Sequence, residues 1–193
     1  MRKLIVSQFL SLDGVMQAPG GEQEDTDGGF KYGGWTRPYW HDDMGAAFAS
    51  IIQGADALLL GRKTYVTHAE AFEPLPAGDF FGDMMNTPAK YVVSKTLEKP
   101  TWRNTTIIRD NHIAEIKQLK AAAGKSILTD GSQQLVHALF EHDLVDELHL
   151  LLYPLLLGGG KRLFPEGVHS ALKLKHTTPY PSGVVGLHYE RAR

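Results

Sequence analysis

The chain has 193 residues, 42% hydrophobic and 22% charged, the make-up of an ordinary soluble globular protein with length for one substantial core. Its 20 Lys and Arg nearly balance 22 Asp and Glu, for a formal net charge of -2, so neither a general polyanion-binding surface nor nucleic acid as the main partner is expected. The absence of cysteine excludes disulfides, thiolate zinc sites, iron–sulfur clusters and a Cys nucleophile.

The opening "MRKLIVSQFLSLDG" is interrupted by Ser7, Gln8, Ser11 and Asp13 with no small-residue cleavage site after it, unlike a signal peptide. No stretch approaches the ~20 apolar residues of a membrane span. A cytoplasmic protein with no membrane partner, forming one domain over residues 1–193, is expected. Residues 3–10 read as a first, mostly apolar and therefore central strand. A long Gly-rich and acidic segment, 11–37, follows, and a loop of that length suits a lid. Pro38 opens a helix whose apolar face carries Trp40, Met44, Ala47, Phe48 and Ile51.

Residues 56–60 form a strand and 63–72 a helix. "EPLPAGDFFGDMMNTP" reads as a second loop, packed on something through its aromatic and Met side chains. Residues 90–94 and 105–109 are short β-branched strands. Asn111 caps a helix ended by Gly124. A strand at 126–130 leads through Gly131 into a helix from Ser132 to His142. Residues 145–153 form a strand, and 171–177 and 183–191 a closing antiparallel hairpin. Strand–helix alternation predicts a three-layer α/β/α fold whose mainly parallel sheet ends in that hairpin.

In such sheets ligands bind beyond the carboxyl ends of the strands. Three segments place glycine, hydroxyl or cation there: Gly61-Arg62-Lys63-Thr64, Ser94-Lys95-Thr96, and Thr129-Asp130-Gly131-Ser132. The first and third open helices, whose free N–H groups and dipole favour a phosphate. Arg62 and Lys63 add charge-assisted donors. The alternative is a set of surface turns with solvated cations.

"SLDGVMQAPG", "ADALLLGRKTY", "YVVSKTLE" and "ILTDGSQQLVHALFEHDLVDELHLLLYPLLLGGGKRLF" occur in that order. Together they resemble the dihydrofolate-reductase-like family that includes the reductase half of the bifunctional deaminase–reductase of riboflavin biosynthesis. The Pro-Cys-x-x-Cys of the deaminase half does not occur in these 193 residues. The resemblance implies a dihydrofolate-reductase-like fold with NADPH across the strand ends. It places Gly61, Arg62, Lys63 and Thr64 on the 2′-phosphate and pyrophosphate, and Ser94 and Lys95 beside the adenosine. It places Gly131, Ser132 and Gln133 at the pyrophosphate, and Leu12, Gly14, Val15 and Met16 over the nicotinamide. The implied substrate is a small heterocycle, a pterin or a pyrimidine-type riboflavin precursor. A genuine dihydrofolate reductase, or an NADPH-binding protein without turnover, are the alternatives. The riboflavin reductases carry Glu-Gly-Gly where this chain has Asp130-Gly131-Ser132.

The proton donors considered are Asp13, which equally suits a turn before Gly14, and Asp43 with its neighbour Asp42, which also suit a helix start. Trp35, Tyr39 and Trp40 could stack on a flat ring, although Trp40 fits the core face better. The nine histidines lack helical metal spacing: His137 and His142 are five apart, and His41-Asp42-Asp43 diverge. No metal is expected. The resemblance also implies a possible homodimer, with "LHLLLYPLLLGGG" as an apolar hint.

Overall fold

The computed structural model describes residues 1–192. Strand β1 (Leu4–Ser11) runs parallel to both its neighbours, β5 (Ser126–Thr129) and β6 (Glu147–Tyr153), and is buried along most of its length. Its near-continuous apolar run follows from that central place, where both faces are covered. On the far side of β5 lie β2 (Ala55–Gly61), β3 (Ala89–Val93) and β4 (Thr105–Ile108), all parallel. Beyond β6 the hairpin of β7 (Leu172–Pro179) and β8 (Val185–Arg191) pairs antiparallel. The eight-stranded sheet has the order β4-β3-β2-β5-β1-β6-β8-β7.

Alternation along the strands divides the apolar residues between two layers. Ile5, Leu58, Leu60 and Leu128 pack with Ile52 of α1 (Asp42–Gln53), Tyr65 of α2 (Arg62–Phe72) and Met85 of α3 (Phe80–Asn86). Leu4, Val6, Leu59 and Ile127 pack on the other face, with Ile116 of α4 (His112–Ala121) and Val136 and Leu139 of α5 (Gln133–Glu141). Each such fully buried side chain is worth about 1.5–3 kcal/mol. The three-layer, mainly parallel fold with a C-terminal hairpin is as expected from the sequence.

Three local expectations need correction. The segment taken as a loop contains α3, whose first turn is capped by Asp79 accepting from Gly82 N at 2.7 Å. Trp40 lies before α1 in extended conformation and is 45% exposed, so it is not on that helix's core face. The helix begins at Asp42 because residues 37–39 close a 3-10 turn first. Asn111 caps α4 through a left-handed backbone (φ 50°), with no side-chain bond. Among the described residues no helix is long and apolar enough to cross a membrane.

Candidate functional site

β2 and β5 are adjacent and parallel, so their carboxyl ends deliver Gly61 and Gly131 to the same place. Side chains lace the two turns together. Gly61 N donates to Ser132 Oγ at 2.9 Å, and Ser132 N donates to Thr64 Oγ1 at 2.9 Å. Gln8 of β1 grips the Gly131 peptide from both sides, donating to its carbonyl at 2.9 Å and accepting its N–H at 3.2 Å. The N-termini of α2 and α5 therefore open on one point. First-turn N–H groups have no intrahelical partner, so together they form an anion cradle. Thr64 and Ser132, expected as direct ligands, act here as the ties that bring the two termini together.

Gly131 is required twice over. Its φ is +53°, and a Cβ there would lie 2.7 Å from Thr64 Oγ1. Gly131→Ala should cost about 1–2 kcal/mol in stability from the left-handed backbone alone and should also weaken cofactor binding, read by thermal melts with and without NADPH. Unchanged melting and unchanged affinity would contradict this role. Asp130, one residue earlier, would repel an anion if left alone. It is paired instead with His68 of α2, Nε2 to Oδ2 at 2.8 Å. Burial opposes protonation of His68, but the charge and hydrogen bond of Asp130 win and raise its pKa. In its protonated form the imidazole cancels the carboxylate behind the cradle.

Arg62 is exposed and, among the described residues, makes no hydrogen bond or ion pair. Lys63 does have a partner: its ammonium is paired with Asp27 from the acidic segment after β1. Lys161 holds Asp25 and also Asp27, the latter at 2.8 Å. Hydrogen bonds from Lys161 and Lys63 hold the Asp27 carboxyl down to about 2. Carboxylates thus meet a cation that the sequence assigns to phosphate.

The segment from 12 to 37 is anchored at both ends. Val15 and Arg162 form a β-bridge, Met16 N donates to Lys161 O at 2.8 Å, and Leu163 N donates to Gly14 O at 3.1 Å. Trp35 Nε1 donates to Gln17 O at 2.8 Å, and Thr36 Oγ1 to Pro19 O at 2.6 Å. Val15 and Met16 are buried and Leu12 is 60% exposed. The middle of the segment is tied as well, where Gln17 Nε2 donates to the carbonyls of Asp25 and Asp27 at 3.0 Å each. Gln133, expected at the pyrophosphate, donates to Arg162 O at 3.1 Å and so ties α5 to the residue that bridges Val15.

Asp13 and Asp43 do not come together as a pair. Asp13 accepts from Ser11 Oγ at 2.6 Å, Leu157 N at 3.1 Å and Gly158 N at 2.9 Å, which lowers its pKa, the Ser11 bond foremost. It is an ionised anchor for the "LLGGG" turn and, so bonded, has no proton to give. Asp43 is in the first turn of α1, its side chain 75% exposed beside His41. Ser94 accepts from Thr96 N and Leu97 N, closing the turn after β3. Lys95 lines a cavity of about 600 Å³ with Arg109, Asn111, His112 and Lys117.

Sequence reasoning missed Tyr153. It ends β6 opposite Ser11 of β1, fully buried, with a hydroxyl that has no hydrogen-bond partner among the described residues. Phe9, Trp35 and Tyr39 meet its ring edge-on at 5.2–6.1 Å between centroids. Burial, with a smaller contribution from Tyr180, raises its pKa well above the ordinary value and keeps the phenol protonated. Its sequence context, one more aromatic in an apolar strand, gave no signal of that orphaned hydroxyl.

The sequence model of the RibD C-terminal domain family matches residues 2–186 of this chain. YyaP of Bacillus subtilis (strain 168) is 28% identical over 192 residues, 97% of this chain and 94% of that protein. The crystal structure of a protein assigned to riboflavin biosynthesis from Shewanella sp. PV-4 superposes with a TM-score of 0.75 at 19% identity, covering 99% of both chains. Dihydrofolate reductase from Enterococcus faecalis, complexed with NADP(H), gives 0.64 at 16% identity, covering 99% of this chain and 97% of that one.

Proposed function

Because the chain belongs to the RibD C-terminal domain family, a family of reductases, we propose that it is an NADPH-dependent reductase acting on a pyrimidine- or pterin-type heterocycle. The observation that carries the reading is the laced pair of helix N-termini, with Arg62, unpaired among the described residues, beside it. NADPH fits these groups. The α2 and α5 termini and Arg62 suit its phosphates. NADPH would supply a hydride for a C=N or C=O carbon of the substrate.

The protein's own part is alignment and exclusion of water. The wall of residues 12–16 and 155–163, held by Asp13 and the Arg162 guanidinium on Asp13 O at 2.8 Å, would cover the nicotinamide. The aromatic group around Tyr153 would border the substrate, and its protonated hydroxyl is the polar group there still lacking a partner. Oxidation of NADPH followed by absorbance with dihydrofolate and with 5-amino-6-(5-phosphoribosylamino)uracil tests the reading. Turnover with dihydrofolate alone would make it a dihydrofolate reductase. Tight NADPH binding with no turnover across a wider heterocycle panel would make it a binding protein, and failure to bind NADPH would overturn both.

Asp27 gives this reading a sharper handle. Its carboxylate competes with the 2′-phosphate for Lys63, so Asp27→Asn should tighten NADPH binding about two- to fivefold, the scale of an exposed ion pair. NADH affinity should move less, because it brings no 2′-phosphate to Lys63. Unchanged or weaker NADPH binding in a fluorescence titration would remove the competition. A homodimer is also proposed, built on the uncovered faces of β7 and β8, where nearly all of β7 is exposed. Light scattering should give about twice 21.3 kDa; a mass matching the single chain at micromolar concentration would rule it out.

A further inference from the structure

The seam where the sheet changes from parallel to antiparallel gathers three side chains that the reductase reading does not use. Glu147 and His149 are two apart on β6 and so share a face. The antiparallel register sets His188 of β8 directly opposite His149. The two imidazoles stack with centroids 4.0 Å apart and planes 27° from parallel. Both Nε2 atoms converge on one carboxylate oxygen, Glu147 Oε2, from His149 at 3.3 Å and from His188 at 3.4 Å. The three ligand atoms lie within 4.8 Å of one another.

Those separations have a chemical meaning. A tetrahedral ion with bonds of about 2.0–2.2 Å holds its ligand atoms about 3.3–3.6 Å apart, the edge of the tetrahedron. A hydrogen bond accounts for only one of the two contacts. His188 Nε2 is buried and makes no hydrogen bond among the described residues, an orphaned nitrogen that calls for a partner. The other carboxylate oxygen, Oε1, is held by the Lys3 ammonium, which fixes the orientation of Glu147 as an outer-shell partner does.

The geometry points to a three-residue site, Glu147 Oε2, His149 Nε2 and His188 Nε2, for a divalent transition-metal ion of the zinc type, with water in the fourth position. Two imidazoles and one carboxylate select such an ion over magnesium or calcium, which take mostly oxygen ligands. Glu147 is the first residue of β6, so the site sits at the end of the sheet opposite the strand termini that form the cradle. An ion there would staple β8, and with it the exposed β7, to the parallel core, a structural role separate from hydride transfer.

The test starts from chelator-treated full-length protein and cobalt(II) as the probe. One equivalent should produce the intense visible band of tetrahedral cobalt, and zinc should displace it. His149→Gln and His188→Gln should each weaken binding at least tenfold, while His169→Gln, at an exposed position, should leave it unchanged. Zinc should raise the melting temperature of the wild type and not of the His188→Gln protein. X-ray absorption of the zinc-loaded wild type needs no variant and should show two imidazole nitrogens. No cobalt band, wild-type affinity in the His149→Gln and His188→Gln proteins, or an all-oxygen zinc shell would each overturn the site.

Discussion

Arg62→Ala is expected to weaken NADPH binding by about 10- to 150-fold, the loss of 1.5–3 kcal/mol that goes with a hydrogen bond to a charged group. The effect on NADH should stay within a few-fold. Two features make Arg62 the stronger choice over Lys63. Its guanidinium makes no internal hydrogen bond or ion pair among the described residues, so nothing must be broken before it meets the phosphate. Lys63 must first leave Asp27, and part of its gain offsets that loss. Arg62→Lys should fall between the wild type and the alanine variant, since lysine keeps the charge and loses the planar fork. The measurement is a fluorescence titration with both cofactors. Equal losses for NADPH and NADH would move Arg62 from the 2′-phosphate to the shared pyrophosphate, and no loss would remove it from the site.

The positions of such residues were legible in the sequence because they depend on local pattern. Leu58 to Leu60 end in glycine, and a buried parallel strand that stops at glycine before a helix leaves its turn at the ligand edge. The same logic located Gly131. What the pattern could not give is which donors the protein spends on itself. Thr64 and Ser132 resemble phosphate ligands in sequence, but β2 and β5 are neighbours and the two side chains bond across the gap. Asp27 and Lys63 are 36 residues apart, and nothing local couples an acidic loop to a basic turn. His149 and His188 meet only because the register of an antiparallel pair makes them face each other. Helix α3 was hidden for a different reason: seven residues flanked by Pro and Gly carry too little periodicity to stand out, and its order comes from burying Met84 and Met85.

Between about pH 7 and pH 10 the protein should gain on the order of 2 kcal/mol of stability from one residue, Lys90. This lysine lies on β3 with its side chain fully buried. Its ammonium donates to Asn86 O at 2.6 Å and sits 4.6 Å from the centroid of the Trp102 ring, whose Nε1 donates to Asn86 Oδ1 at 2.6 Å. One carbonyl and an aromatic face replace water poorly, so burial lowers the pKa from 10.5 to about 8, against the weaker pull of Glu73. The sign follows from counting protons. Below about pH 8 both folded and unfolded chains carry the charge, and the folded state bears the full cost of burying it. Between about 8 and 10.5 the unfolded chain binds the extra proton and the folded one does not, so stability rises with pH. Lys90→Met removes the titrating group, and its pH profile subtracts the contribution of every other lysine and tyrosine. Urea melts of both proteins across this range should therefore diverge at neutral pH and converge as pH rises. Parallel profiles would mean that Lys90 titrates like an exposed lysine, and the ammonium would then be as well satisfied by Asn86 and Trp102 as by water.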